Sequence, residues 1–277
     1  MKLGFIGLGN MASAMIGGML KKGLVSSQDI IGSDVSEAGR AKATEQFGIE
    51  ACADNKKVAV EADVLFFAVK PIFLPEVLAE IADSVKENTV MVSIVAGKSI
   101  DFIQQGMGGK NRKIIRCMPN TPALVGEGCT GVCASESVTK EEMKQVLSLL
   151  ESFGVAQEVP ERLMDAVVGV SGSSPAYVFL FIEAMADAAV AAGMPRNQAY
   201  TFAAQAVLGS AKMVLETGKH PGELKDMVCS PGGTTIDAVK VLEQRGFRAA
   251  VMDAMEACVE KSKNLYRILN IFSLLTN

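Results

Sequence analysis

Short apolar runs alternate with helical patterns through the first 160 residues of the chain. Residues 3–6, 30–33, 64–69, 90–95 and 113–117 read as strands, with 11–22 and 37–47 as helices between them. The run Val-Leu-Phe-Phe-Ala-Val at 64–69 shows no polar alternation, which predicts a strand covered on both faces. Strand and helix in turn predict βαβ units on a doubly wound parallel sheet. Residues 129–134 and 155–159 are candidate strands at its edge.

Beyond Pro160 the strand signals stop, and Ala, Met, Leu and Val recur at helical spacing through 184–192 and 199–215. The expected fold class is therefore α/β, with a Rossmann-type domain over 1–160 and an all-helical domain over 161–277. Pro175, Pro195, Pro221 and Pro231 are each expected in a first helical turn, where proline's missing N–H costs nothing. Ala188, Ala189, Ala191 and Ala192 would let helices approach closely, and such a bundle suits continuation across a subunit boundary. A homodimer at least is expected.

Composition narrows the class. Hydrophobic residues make up 49% of the chain and charged residues 21%, with 27 basic against 31 acidic side chains and a net charge of -4. That describes a folded chain and argues against nucleic acid as partner, since no basic run is long enough to follow a phosphate backbone. The six cysteines form no CxxC pair and are expected to be reduced, and metal ligands at workable spacing are lacking. Residues 3–20 are uncharged between Lys2 and Lys21, as in a secretory signal, but Gly4, Gly7, Gly9, Gly17, Gly18 and Asn10 break the apolar helix a signal needs. No other stretch is expected to approach a membrane span, so the expected location is the cytoplasm.

Gly7-Leu8-Gly9-Asn10-Met11-Ala12 directly follows the first strand and opens the first helix, the context a dinucleotide fingerprint requires. Gly7 permits the tight turn, Gly9 lets backbone reach the pyrophosphate, and Ala12 is small enough for helix to pack on strand. The pyrophosphate would sit on the helix N-terminus, where unpaired N–H groups point. Asp34, at the end of the second strand, stands where the ribose is gripped, and a carboxylate there favours NADH over NADPH. Arg40 and Lys42 are near enough in sequence to hold a 2′-phosphate instead, so the cofactor is NADPH or NADH.

Three more motifs join the fingerprint: Ala68-Val69-Lys70-Pro71, Met118-Pro119-Asn120-Thr121-Pro122 and Ser230-Pro231-Gly232-Gly233-Thr234-Thr235. Together they resemble the pyrroline-5-carboxylate reductase family over nearly the whole chain, most closely from Pro221-Gly222-Glu223-Leu224-Lys225 to Thr235. The resemblance implies hydride transfer from NAD(P)H to 1-pyrroline-5-carboxylate, giving L-proline. It also implies a helical dimerisation domain, an active site at the dimer interface, and assembly as a homodimer or a ring of dimers such as a decamer. Ile6, Gly7, Leu8, Gly9, Asn10 and Met11, with Asn55, Ala68 to Pro71, and Val95, Ala96 and Gly97, match the family's cofactor-lining positions. Ser230 to Thr235 match its substrate site. Relatives often carry Ala at the position of Thr234, so Thr235 is the match for the threonine that meets the ring nitrogen. The resemblance assigns no role to residues 268–277.

Read as chemistry, Gly232 and Gly233 before the helical pattern at 236–243 expose consecutive N–H groups that could cradle a carboxylate. An ordinary helix-capping turn is the alternative. An iminium substrate already carries its proton, so positioning dominates, and Thr235 Oγ can orient the nitrogen. A β-hydroxyacid dehydrogenase would need a lysine where this chain has Val178, and Tyr177 reads as core. A hydrolase would need more than His220, the single histidine. A non-catalytic NAD(P) sensor would have no use for the Ser230 to Thr235 loop.

Overall fold

The first strand, β1 (Leu3–Ile6), is buried at every position. Its neighbours β2 (Ile30–Ser33), β4 (Val64–Phe67) and β5 (Val90–Ser93) are equally buried, as strands must be when helices cover both faces. β3 (Glu50–Cys52), β6 (Ile114–Met118), β7 (Gly128–Ala134) and β8 (Gly154–Glu158) complete one sheet of order β3-β2-β1-β4-β5-β6-β7-β8. All pairs are parallel except β6 with β7. This computed structural model describes residues 1–109 and 111–275, with side chains to Asn264. The side chains of 268–277, a stretch to which the sequence assigns no role, lie outside the described residues.

Strand periodicity sorts the core into two layers. Leu3, Phe5, Phe66, Val92 and Ile115 face one side, and Ile6, Leu65, Phe67, Met91 and Ile114 the other. Phe5 stacks on Phe66 with ring centroids 4.6 Å apart. Helices α1 (Asn10–Lys21), α2 (Glu37–Phe47), α3 (Asn55–Glu61), α4 (Leu74–Ile81), α5 (Ile100–Gly106) and α6 (Lys140–Leu150) belong to this sheet. α4 illustrates the fit: Leu74, Val77, Leu78 and Ile81, spaced i, i+3, i+4, i+7, are its buried residues.

After β8 come α7 (Met164–Val167), a π-helical turn over Val168–Gly172, and α8 (Ser174–Ala191), α9 (Arg196–Thr217), α10 (Pro221–Val228), α11 (Thr234–Gln244) and α12 (Phe247–Leu275). The chain divides into two compact units, Met1–Gly172 with Cys258–Asn277, and Ser173–Ala257. In the second, the buried residues of α8 and α9 are alanines, Ala186, Ala199 and Ala203, while Phe179, Leu180, Phe202 and Leu215 are exposed. Helices apolar on every side need further surface to cover them.

Four expectations change. β3 is absent from the sequence-based assignment because its three residues, Glu-Ala-Cys, hold no apolar run. Pro195 is the N-cap of α9 rather than a first-turn residue. Pro231 lies in the turn before α11. Glu161–Ala191 is, by length and composition, long and apolar enough to cross a membrane, because the expectation required an uninterrupted apolar run and this one is broken by a few charged and small residues.

Candidate active site

The parallel strands bring their carboxyl ends to one edge, where Ile6 is level with Ser33 and Phe67, and Phe67 with Ser93. The chain proceeds from β1 to β2 and β3 on one side, then returns to β4 on the other. The β1/β4 boundary is therefore the switch point where open α/β sheets leave a crevice for ligands. Gly7 turns the chain there: its N–H donates to Ser33 O at 2.8 Å, and Ala68 N–H donates to Ile6 O at 2.8 Å. With φ of +97° and an added Cβ only 2.6 Å from Ala68 O, this position admits glycine alone without strain.

Gly9 differs. It is the N-cap of α1, no side chain caps the helix, and a Cβ there would meet nothing within 4 Å. The emptiness above Gly9 and the uncapped N–H groups of α1 fit a dinucleotide pyrophosphate. Leu8 and Ala12 are buried while Gly9 and Asn10 are exposed and Met11 half-buried, so the loop shows backbone outward and anchors itself by side chains.

Asp34, the expected ribose residue, also braces the glycine turn. Its Oδ2 accepts Leu8 N–H at 2.8 Å and its Oδ1 accepts Ser36 N–H at 2.9 Å. The carboxylate thus ties the end of β2 to the glycine turn. Arg40 Nη1 donates to Asp34 O at 2.7 Å and to Val35 O at 3.2 Å, placing a guanidinium on the same loop. Asn55 is similarly engaged: Ser33 Oγ donates to its Oδ1 at 2.7 Å and its Nδ2 donates to Glu80 Oε2 at 2.7 Å. Its side chain fastens the edge beside the turn.

Ala68, Val69, Lys70 and Pro71 follow β4, with Ala68, Val69 and Pro71 half-buried and Lys70 exposed. Val95, Ala96 and Gly97 follow β5, and Gly97 has φ of +70°. The next residue, Lys98, is buried, its ammonium 3.7 Å from the Phe102 ring centroid, and burial holds its pKa below the ordinary lysine value. Ile100 N–H donates to Glu161 Oε1 at 2.9 Å, and the buried Arg116 guanidinium donates to the same oxygen at 3.0 Å. Burial pushes the Cys133 thiol up to about 12 and that of Cys117 up as well, so neither is an active nucleophile.

In the second unit, Ser230 to Gly233 form an exposed or half-exposed turn. Gly233 N–H donates to Ser230 O at 3.0 Å, Gly232 has φ of +67°, and Gly233 is the N-cap of α11. No side chain caps α11, although Thr234 and Thr235 stand in its first turn. The capping-turn alternative therefore lacks its bond, and the amides remain available to an anion. Just before it, His220 Nδ1 accepts Gly222 N–H at 3.0 Å and caps α10.

Comparison with known proteins places this geometry. Residues 161–265 match the family model described as pyrroline-5-carboxylate reductase dimerisation, and residues 2–97 the one described as NADP oxidoreductase, coenzyme F420-dependent. Pyrroline-5-carboxylate reductase of Escherichia coli is 56% identical over 264 residues, 95% of this chain and 98% of that protein. This chain belongs to the pyrroline-5-carboxylate reductase family. The reductase of Methanosarcina acetivorans is 45% identical, again over 95% of this chain and 97% of that one. Among solved structures, the pyrroline-5-carboxylate reductase of Coxiella burnetii superposes with a TM-score of 0.90 at 35% identity, covering 95% of this chain and 98% of its own. That of Plasmodium falciparum, with NADP bound, gives 0.86 at 34%, covering 96% and 98%.

The sequence assigns no part to the residues of the motif Met118 to Pro122. Asn120 of Met118-Pro119-Asn120-Thr121-Pro122 is buried, and both ends of its amide are bonded: Oδ1 accepts Cys129 N–H at 2.8 Å and Nδ2 donates to Ser171 O at 3.0 Å. Its partners lie 9 and 51 residues away. A polar residue in a Pro-flanked turn after a buried strand was the available signal.

Proposed function

We propose that this chain reduces 1-pyrroline-5-carboxylate to L-proline with NADPH or NADH, acting as a homodimer or a ring of dimers such as a decamer in the cytoplasm. Near-full-length identity of 56% to a pyrroline-5-carboxylate reductase carries the reading. Two glycine-capped helix N-termini without side-chain caps, at Gly9 and Gly233, offer sites for a pyrophosphate and for a substrate carboxylate. We take 1–160 as the cofactor domain and 161–277 as the domain that dimerises and holds substrate.

A nicotinamide held by this chain would supply the hydride that the imine carbon takes up. The residues of the chain do the rest. Gly7 to Ala12 hold the pyrophosphate, and Ala68 to Pro71 with Val95 to Gly97 wall the nicotinamide half. The amides of the Gly232-Gly233 turn and of Thr234 hold the substrate carboxylate, and Thr235 Oγ accepts a hydrogen bond from the iminium N–H. The nitrogen keeps its proton as the carbon–nitrogen double bond becomes single, so no side chain has to deliver one. Fixing the orientation of the substrate ring is then the main source of rate.

The test is loss of reduced-nicotinamide absorbance when pyrroline-5-carboxylate is added to the purified chain, with proline identified as product. Absence of turnover with both cofactors would overturn the proposal. The same assay run with the six-membered imino acid defines the substrate range.

A further inference from the structure

We infer that Asn120 is a positioning residue for hydride transfer, an inference that rests on the reductase reading above. Its amide joins three segments at the carboxyl edge of the sheet. These are the turn leaving β6, the first residues of β7, and the π-helical turn Val168–Gly172, reached through Cys129 N–H and Ser171 O.

Two independent observations make this more than a core hydrogen bond. The first is place. β6 runs beside β5, the strand whose following residues Val95, Ala96 and Gly97 wall the proposed nicotinamide pocket, and neighbouring strands lie only about 4.8 Å apart. Because β7 is antiparallel to β6, its beginning lies at the same edge as the end of β6. The second is the π-helical turn. Such a turn displaces carbonyls from the regular ladder and is found preferentially at functional sites. Ser171 spends its own hydroxyl on Val167 O at 3.0 Å, and its carbonyl is taken by Asn120. Gly172, next in the turn, sits so close to Met118 that an added Cβ would be 3.1 Å from Met118 Cε. The π turn and the end of β6 are therefore held face to face, with the Asn120 amide bonding one to the other.

The chemistry of the position requires a side chain that donates and accepts in one plane. Aspartate keeps the acceptor for Cys129 N–H but presents a second oxygen to Ser171 O. Serine is neutral and too short to bridge both. The experiment compares wild type, Asn120→Asp and Asn120→Ser in the presence of NADPH and pyrroline-5-carboxylate, with folded, cofactor-competent sites counted by NADPH fluorescence titration.

The expected result per competent site is a kcat lowered on the order of tenfold to a hundredfold, with the KM for NADPH changed less than about threefold. The isotope effect with 4-deuterated NADPH should rise in both variants, as hydride transfer becomes more fully rate-limiting. For Asn120→Asp the activity relative to wild type should recover as pH falls from about 8 to about 6, because a buried carboxyl protonates there and regains a donor. A kcat and isotope effect per competent site equal to wild type overturns the inference, as does failure of both variants to fold, which would make the amide a requirement of folding alone. An inactive wild type would instead sink the reductase reading.

Discussion

Asp34 Oδ2 accepts the Leu8 N–H at 2.8 Å, so the end of β2 holds the turn that follows β1. The bond extends the residue's influence to the whole loop. Removing it releases Leu8 and Ser36 N–H together, and hydrogen bonds to a charged acceptor contribute about 1.5–3 kcal/mol each. Asp34→Ala should therefore raise the KM for NADH and NADPH alike, on the order of tenfold. Steady-state kinetics with both cofactors check this. A rise confined to NADH would return the carboxylate to the ribose.

The two glycines of the turn should separate stability from binding. Gly7→Ala places a methyl against Ala68 O in a backbone with φ of +97°, a strain of about 1–3 kcal/mol before any clash is counted, and the melting temperature should drop. Gly9→Ala meets nothing in the protein. Its stability should stay within about 0.5 kcal/mol of wild type, while the methyl occupies the path of the pyrophosphate and cofactor affinity falls. Calorimetry and fluorescence titration on the same two variants decide it. Equal loss of stability in both would mean that Gly9 serves packing instead.

What the sequence disclosed follows from the range of the interactions involved. α2 was legible in full because its signals are local: Ser36 Oγ accepts Gly39 N–H at its start and Gly48, with φ of +67°, ends it. β4 was legible because an unbroken apolar run of that length has few other uses. The glycine turn was legible because strand, glycines and helix are consecutive. Asp34 was visible as an acid at a strand end, but its bond to Leu8 spans 26 residues, and only the fold brings them together. Asn120 reaches still further, to Ser171. The helical region hid its pairing for the opposite reason. With Phe179, Leu180 and Phe202 exposed on one unit, no single face stands out as the buried one, so periodicity cannot say which side meets what.

Thr235 stands in the first turn of α11, exposed and next to the Gly232-Gly233 turn. Thr235→Ala keeps a good helix former in that place, so circular dichroism and melting temperature should be unchanged. The loss of one hydrogen bond to a charged iminium, about 1.5–3 kcal/mol, should lower kcat/KM for the imine by roughly ten- to a hundredfold. Thr234→Ala, which keeps the backbone amide at the start of α11, should be close to neutral. Unchanged kinetics in Thr235→Ala would remove that hydroxyl from the reaction.

Lys98 offers a stability test with a defined sign. Its side chain is buried against Phe102, and desolvation lowers its pKa from the ordinary 10.5. In the alkaline interval between the folded value and 10.5 the unfolded chain binds more protons than the folded one, so wild-type stability rises with pH there. Below that interval the fold carries the full cost of a buried ammonium, which the contact with the Phe102 ring offsets only in part. Lys98→Met keeps the apolar stem and removes the charge. At neutral pH the variant should gain on the order of 1 kcal/mol, the common scale of a single substitution, or roughly 2–4 °C in melting temperature. Its stability should also lose the alkaline rise. Denaturant unfolding followed from neutral to alkaline pH reads both effects. A variant less stable than wild type at neutral pH, with the alkaline slope intact, would show that the contact with Phe102 outweighs desolvation.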